Sequence, residues 1–229
     1  MALMLPHSVF FHIPKTGGTW VRHAIIAAGI PVNECMSAQQ FDRGIRKCNE
    51  QHIVRRFHPT GTMIRHAGPD TVETFGKYTF AFVRHPLSFY RSLWSYKMRF
   101  GWDMNNPFDN SVAHDTYQLF LHAVVEKCPG WYTRLCKGYL GQQFNALDFV
   151  GKQEYLVDDV MRALTAAGES FREEDIRSVL PKNRSIGVYA SLQETRISVH
   201  LAQRVLLTEK EMMDACDYVG IPDESLISF

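Results

Sequence analysis

The sequence predicts an α/β protein of three layers: a central parallel sheet flanked by helices, with a helical C-terminal third. Three features predict it. Residues 8–13 (SVFFHI) and 78–83 (YTFAFV) are short, almost unbroken runs of apolar and β-prone residues, the pattern of parallel strands covered on both faces. Each run leads through a loop into a segment whose apolar residues have helical spacing. The last third carries three Ser/Thr-x-x-Glu sequences of the kind that cap helix starts, Ser170/Glu173, Ser191/Glu194 and Thr208/Glu211.

In chain order, Pro14 ends the first strand and Gly17-Gly18 makes a tight loop. A helix follows over 19–28, with Val21, Ala24, Ile25 and Ala28 on one face, stopped by Gly29 and Pro31. Residues 32–65 are mixed and polar, with a helix expected near 37–47 and a short strand near 52–57. After the strand at 78–83, Pro86 suits the first turn of a helix running to about residue 98. Residues 100–113, rich in Asn, Asp, Pro and Gly, read as a surface loop, and 114–127 as a helix. A further strand is expected at 147–151 and a helix at 157–166, with a polar loop over 180–187.

The bulk composition narrows the function. The chain has 229 residues, 45% hydrophobic and 21% charged, which suits one domain over 1–229 with a sizeable core. A formal net charge of +1, with both signs mixed along the chain, gives no global field to hold nucleic acid, so any anion site is local. Five cysteines, an odd number with no CxxC pair, suggest neither a zinc site nor a disulfide framework but reduced thiols. No apolar run approaches the roughly 20 residues of a membrane helix, and the N-terminus lacks a basic segment and cleavage site. The expectation is a cytoplasmic protein without a membrane anchor.

Pro14-Lys15-Thr16-Gly17-Gly18-Thr19 joins the first strand to the first helix. A helix start offers unpaired backbone N–H groups and the positive end of the macrodipole, and so favours anions. Gly17 and Gly18 let the backbone approach a phosphate without a Cβ in the way. Thr16 and Thr19 add hydroxyl donors, and Lys15 a full charge. Glycine pairs are also common in plain strand-to-helix turns; the position between a buried strand and an amphipathic helix favours the anion site. This is not the G-x-x-x-x-G-K-[ST] loop of ATP- and GTP-binding proteins, because Lys15 precedes both glycines.

Residues 11–19, Phe-His-Ile-Pro-Lys-Thr-Gly-Gly-Thr, resemble the 5′-phosphosulfate loop of sulfotransferases that use 3′-phosphoadenosine-5′-phosphosulfate (PAPS), and especially the carbohydrate and bacterial branch, which commonly reads h-I-P-K-T-G-G-T-S. The resemblance implies a P-loop-like three-layer fold, PAPS as donor, 3′-phosphoadenosine-5′-phosphate (PAP) as product, and no metal. It gives Lys15 the leaving oxygen, and Thr16, Gly17, Gly18 and Thr19 the phosphate, with Trp20 in place of the usual small residue as a further cofactor neighbour.

A second segment is similar to the family's 3′-phosphate motif R-[ND]-P-x-x-x-x-x-S: Arg84-His85-Pro86, with Ser92 in register. An arginine fork beside a helix start suits a phosphate, and a hydroxyl completes the shell. Taken singly, Arg84 also reads as an exposed strand-end residue and Ser92 as a helix-surface residue. His85 departs from Asn/Asp, and Phe89 stands where that branch often has arginine. Residues 150–159 (VGKQEYLVDD) resemble the family's strand-then-helix segment v-G-r-x-E-x-L-x-x-D, and residues 182–185 (KNRS), with Arg184, occupy the place of its late nucleotide-covering loop.

Transfer to a hydroxyl requires a base. Of ten histidines, His58 lies between the two phosphate motifs, where the family often has a strand-end His-x-Thr. His52, His66 and Glu34 remain alternatives, and His12, inside the first strand, reads as a satisfied buried histidine. The expected activity is sulfuryl transfer to a hydroxyl of a carbohydrate or small-molecule acceptor. A small-molecule kinase of the P-loop type and a non-catalytic nucleotide-binding module are the rival readings.

Overall fold

A computed structural model describes residues 2–36, 53–57, 68–69, 72, 74–180, 195–221 and 227–228, with 33–36, 53–57 and 227–228 as backbone. The chain divides into two units, Met1–Val83 with Gly138–Lys182, and Arg84–Lys137 with Asn183–Phe229. The helix expected near 37–47, the Ser191/Glu194 pair and residues 181–187 lie outside the described residues.

The first unit is built on a six-stranded sheet of β1 (Ala2–Met4), β2 (Ser8–Phe11), β3 (Val32–Met36), β4 (Ile53–Phe57), β5 (Tyr78–Val83) and β6 (Phe149–Lys152), in the order β4-β3-β1-β2-β5-β6. β2 pairs in parallel with β5, β5 with β6, and β3 with β4, but β1 runs antiparallel to both its neighbours. The parallel sheet expected from sequence is present in the pairings of β2, β5 and β6 and of β3 with β4, and β1 makes the whole sheet a mixed one. The reason is local: Leu5-Pro6-His7 is too short for a crossover, and Leu5 N donates to the Ser8 carbonyl at 2.8 Å, so β1 and β2 close as an antiparallel pair.

Side chains alternate across β2 and β5. Phe10, Phe80 and Phe82 join a core with Trp20, Val21, Ala24 and Ile25 of α1 (Gly18–Ala27), Val160, Ala163 and Leu164 of α6 (Leu156–Ala166), and Ile176 of α7 (Glu173–Arg177). Val9, Phe11, Ala81 and Val83 point the other way and are equally buried, as parallel strands require. The buried Glu169 carboxylate accepts from His7 N at 2.9 Å and Ser8 Oγ at 2.7 Å, anchoring the β1–β2 turn.

The second unit holds α2 (Pro86–Phe100), α3 (Pro107–Val112), α4 (Tyr117–Lys127), the first part of α5 (Trp131–Leu140), α8 (Val199–Thr208) and α9 (Lys210–Ala215), with a short parallel pair β7 (Ile197–Ser198) and β8 (Ile227–Ser228). The segment expected as a loop over 100–113 contains α3, capped by Asn106, which accepts from Phe108 N and Asp109 N. α5 falls in a stretch with no helix expected. Two expected capping boxes are not formed. Ser170 does not cap α7, whose N-cap is Arg172, and Thr208 is the last residue of α8, its hydroxyl donating back to the Val205 carbonyl at 2.8 Å. The cap of α8 is Ser198, which accepts from Leu201 N at 3.2 Å. Among the described residues no helix is long and apolar enough to cross a membrane.

Candidate functional site: the loop after β2 and the start of α2

Residues 14–17 form a turn between β2 and α1. Lys15 has φ 67° and Gly17, the N-cap of α1, φ 92°, so two left-handed residues flank Thr16. For a lysine that conformation costs about 1–2 kcal/mol. Such strain persists only where surrounding structure imposes it, and it clusters at functional sites. Thr16 is fully buried, and its hydroxyl donates to the Ile13 carbonyl at 2.8 Å, closing the turn from inside. Thr16 therefore has its amide, not its hydroxyl proton, to offer an anion. Thr19 is exposed.

Both glycines answer to close neighbours within the protein. A Cβ on Gly17 would stand 2.6 Å from Leu156 Cδ2, and one on Gly18 2.0 Å from His12 Cδ2. Glycine is thus required here by φ and packing, a different reason from open approach to a phosphate. The His12 ring, half-buried rather than buried, stacks on Phe10 at 6.1 Å and lies against the first residue of α1. α1 itself has no acidic residue in its first turn and no side-chain bond from its N-cap glycine.

Trp20, the second residue of α1 after Gly18, packs inward. Its backbone N–H donates to the Gly17 carbonyl at 2.9 Å, its indole N–H donates to the Val179 carbonyl at 3.1 Å, and its ring is in the core. Both of its N–H donors are engaged inside the protein.

In the second unit Arg84 is half-buried and directly precedes His85, the N-cap of α2. The hydroxyl of Tyr132, on α5, accepts from Arg84 N at 2.9 Å and donates to the Arg84 carbonyl at 3.0 Å. His85 is the N-cap of α2, its Nδ1 accepting from Leu87 N at 3.3 Å, with Pro86 at the first helical position. With Nδ1 accepting, Nε2 carries the proton and donates to the Gly220 carbonyl at 3.0 Å. The departure from Asn/Asp thus keeps an acceptor in the capping place. Phe89 is buried and stacks on Tyr132 with ring centroids 3.7 Å apart. Ser92 is half-buried in the second turn of α2.

The structure therefore gathers Lys15, Thr16 and Gly17 in one turn and Gly18 and Thr19 in the first turn of α1, in the first unit, and sets Arg84 just before α2 and Ser92 in its second turn, in the second. His58 and Arg184 lie outside the described residues, as do His52 and His66, and Glu34 is described only as backbone of β3. Sequence reasoning missed Tyr132. Its signal was present, because Trp131, Tyr132, Leu135, Cys136, Tyr139 and Leu140 recur with helical spacing after Pro129-Gly130.

No family model matches the sequence, and no curated protein does. Among solved structures the chain is similar to that of mouse sulfotransferase SULT7A1 complexed with PAP, at 15% identity and a TM-score of 0.42, over 92% of this chain and 78% of that one.

Proposed function

We propose that this chain is a PAPS-dependent sulfotransferase of the carbohydrate and bacterial type, working as one domain over 1–229 and moving a sulfuryl group to a hydroxyl of a carbohydrate or small molecule. The observation that carries the reading is Lys15: a lysine held in left-handed backbone, at the carboxyl end of a buried parallel strand, beside the start of a helix whose N-cap is a glycine. The carboxyl ends of strands are where open α/β sheets bind ligands. β2 and β5 are hydrogen-bonded parallel neighbours, the loop over 14–17 follows β2, and Arg84 is the residue that follows β5 in sequence.

In this reading the acceptor oxygen attacks sulfur in line, a new O–S bond forms, and the bond from sulfur to the 5′-phosphate oxygen breaks. Lys15 and the amides of Thr16, Gly17, Gly18 and Thr19, with Trp20 as a further cofactor neighbour, stabilise the negative charge that gathers on that leaving oxygen. Arg84 and Ser92 hold the 3′-phosphate that distinguishes PAPS from ATP, and Arg184 adds to the nucleotide shell. His58 takes the acceptor proton. No step requires a metal. The cytoplasmic location rests on the unpaired cysteine pattern of the sequence.

Calorimetric titration of PAP and of ATP tests the donor. Binding of PAP alone supports the reading, preference for ATP replaces it with a kinase, and PAP binding without turnover over an acceptor panel makes the chain a binding module.

A further inference from the structure

Arg84 leaves β5 where strand pairing ends and α2 has yet to begin, so its own N–H and carbonyl fall outside both ladders. One phenol holds them both: the Tyr132 hydroxyl takes the Arg84 N–H at 2.9 Å and gives its proton to the Arg84 carbonyl at 3.0 Å. Gripping the two peptide groups on either side of one Cα fixes φ and ψ together, and with them the direction in which the arginine side chain sets out.

The phenol is itself held rigidly. Tyr132 is fully buried, with its ring stacked on Phe89 at an interplanar angle of 13°. The start of α5 is seated on the buried Glu209 carboxylate, which accepts from Thr133 N at 2.7 Å, Thr133 Oγ1 at 2.6 Å and Tyr90 Oη at 2.6 Å. Tyr132 N points into the same cluster, 3.3 Å from Tyr90 Oη. Burial pushes the Tyr132 phenol well above the usual tyrosine range, so it keeps the proton that the Arg84 carbonyl accepts. A phenylalanine fills the same space and lacks the clamp, together with the hydroxyl's contact to Cys136.

We propose that Tyr132 is a positioning residue that aims the Arg84 guanidinium at the 3′-phosphate of the nucleotide. It acts through the backbone of Arg84 and draws its own rigidity from Glu209. The inference rests on the PAPS reading above, in which Arg84 is the 3′-phosphate ligand.

The test is calorimetric titration of the full chain with PAP and with AMP, which differ only in the 3′-phosphate, for wild type, Tyr132→Phe and Arg84→Ala. The expected result is a preference of the wild type for PAP, an approximately tenfold fall in PAP affinity in Tyr132→Phe with AMP affinity unchanged, and little further loss when the two substitutions are combined, because both act on one interaction. A wild type that does not prefer PAP overturns the PAPS reading and this inference with it. A wild type that prefers PAP, with the preference intact in Tyr132→Phe, overturns the role of Tyr132 alone. Equal loss for PAP and AMP shows a purely structural tyrosine and overturns the inference too. If Tyr132→Phe does not fold, Thr133→Val, which loosens the seat of α5 on Glu209, carries the test: an approximately threefold fall confined to PAP upholds the inference and an unchanged preference overturns it.

Discussion

Replacing Lys15 by glycine separates what the loop does for the fold from what it does for chemistry. Lys15 sits at φ 67°, where a side chain costs about 1–2 kcal/mol and glycine nothing. Glycine also loses more backbone freedom on folding, which returns roughly 0.5–1 kcal/mol of destabilisation. The two terms oppose each other, so Lys15→Gly is expected to leave stability within about 1 kcal/mol of wild type, a shift in Tm of roughly 2–4 °C at most for a chain of this size. The ammonium, in contrast, is asked to stabilise the leaving oxygen, and removal of one such preorganised group typically costs about 10²–10³ in kcat. The assay pairs a thermal melt with PAP release under saturating PAPS. Wild-type kcat in Lys15→Gly refutes the catalytic role. A Tm lowered by more than about 8 °C refutes the strain argument and makes Lys15 a structural residue.

Three further substitutions test the elements that hold the site. Gly18→Ala drives a Cβ to within 2.5 Å of three atoms of the His12 ring and should cost about 1–3 kcal/mol by chemical denaturation, most of it recovered in the double variant with His12→Ala; no recovery refutes the packing account. His85→Ala removes the acceptor that caps α2 and should cost about 1–2 kcal/mol, while His85→Asn, which restores a capping oxygen, should recover most of it; equal losses in the two variants count against the cap. Glu209→Ala leaves the Tyr90 hydroxyl and both donors of Thr133 without their buried acceptor and should cost about 3 kcal/mol or more, read from the urea midpoint; a loss under about 1 kcal/mol shows that the cluster does not hold α5.

What the sequence disclosed of the fold followed burial. β2 and β5 are covered on both faces, so their composition alone marks them. The same is true of α6, whose apolar stripe matches the helical period. β1 was not legible, because three residues carry no period and the strand exists only through its pairings with β2 and β3. Caps were misread for a related reason. Ser/Thr-x-x-Glu is a short pattern, and whether the hydroxyl turns forward to cap or back to the preceding carbonyl depends on where the chain bends. Thr208 turns back to Val205, and Ser198, with no glutamate three residues on, is the residue that caps α8.

The candidate site divides along the same line, between what is contiguous in the chain and what is brought from afar. The loop from Pro14 to Thr19 was legible because its lysine, glycines and threonines are consecutive, and their order alone sets it apart from a Walker-type loop. The reasons those residues are needed were not, because they lie in partners: Leu156 behind Gly17, His12 against Gly18, Val179 holding the Trp20 indole. Arg84 shows the same division. Its place before a Pro-led helix is written in three consecutive residues, but the group that fixes its backbone comes from α5, and the group that fixes α5 is Glu209, just beyond the end of α8. His85 and Phe89 are likewise explained by their partners. A histidine with Nδ1 turned to Leu87 keeps the acceptor that an Asn or Asp would supply, and Phe89 carries the ring on which the clamping tyrosine rests.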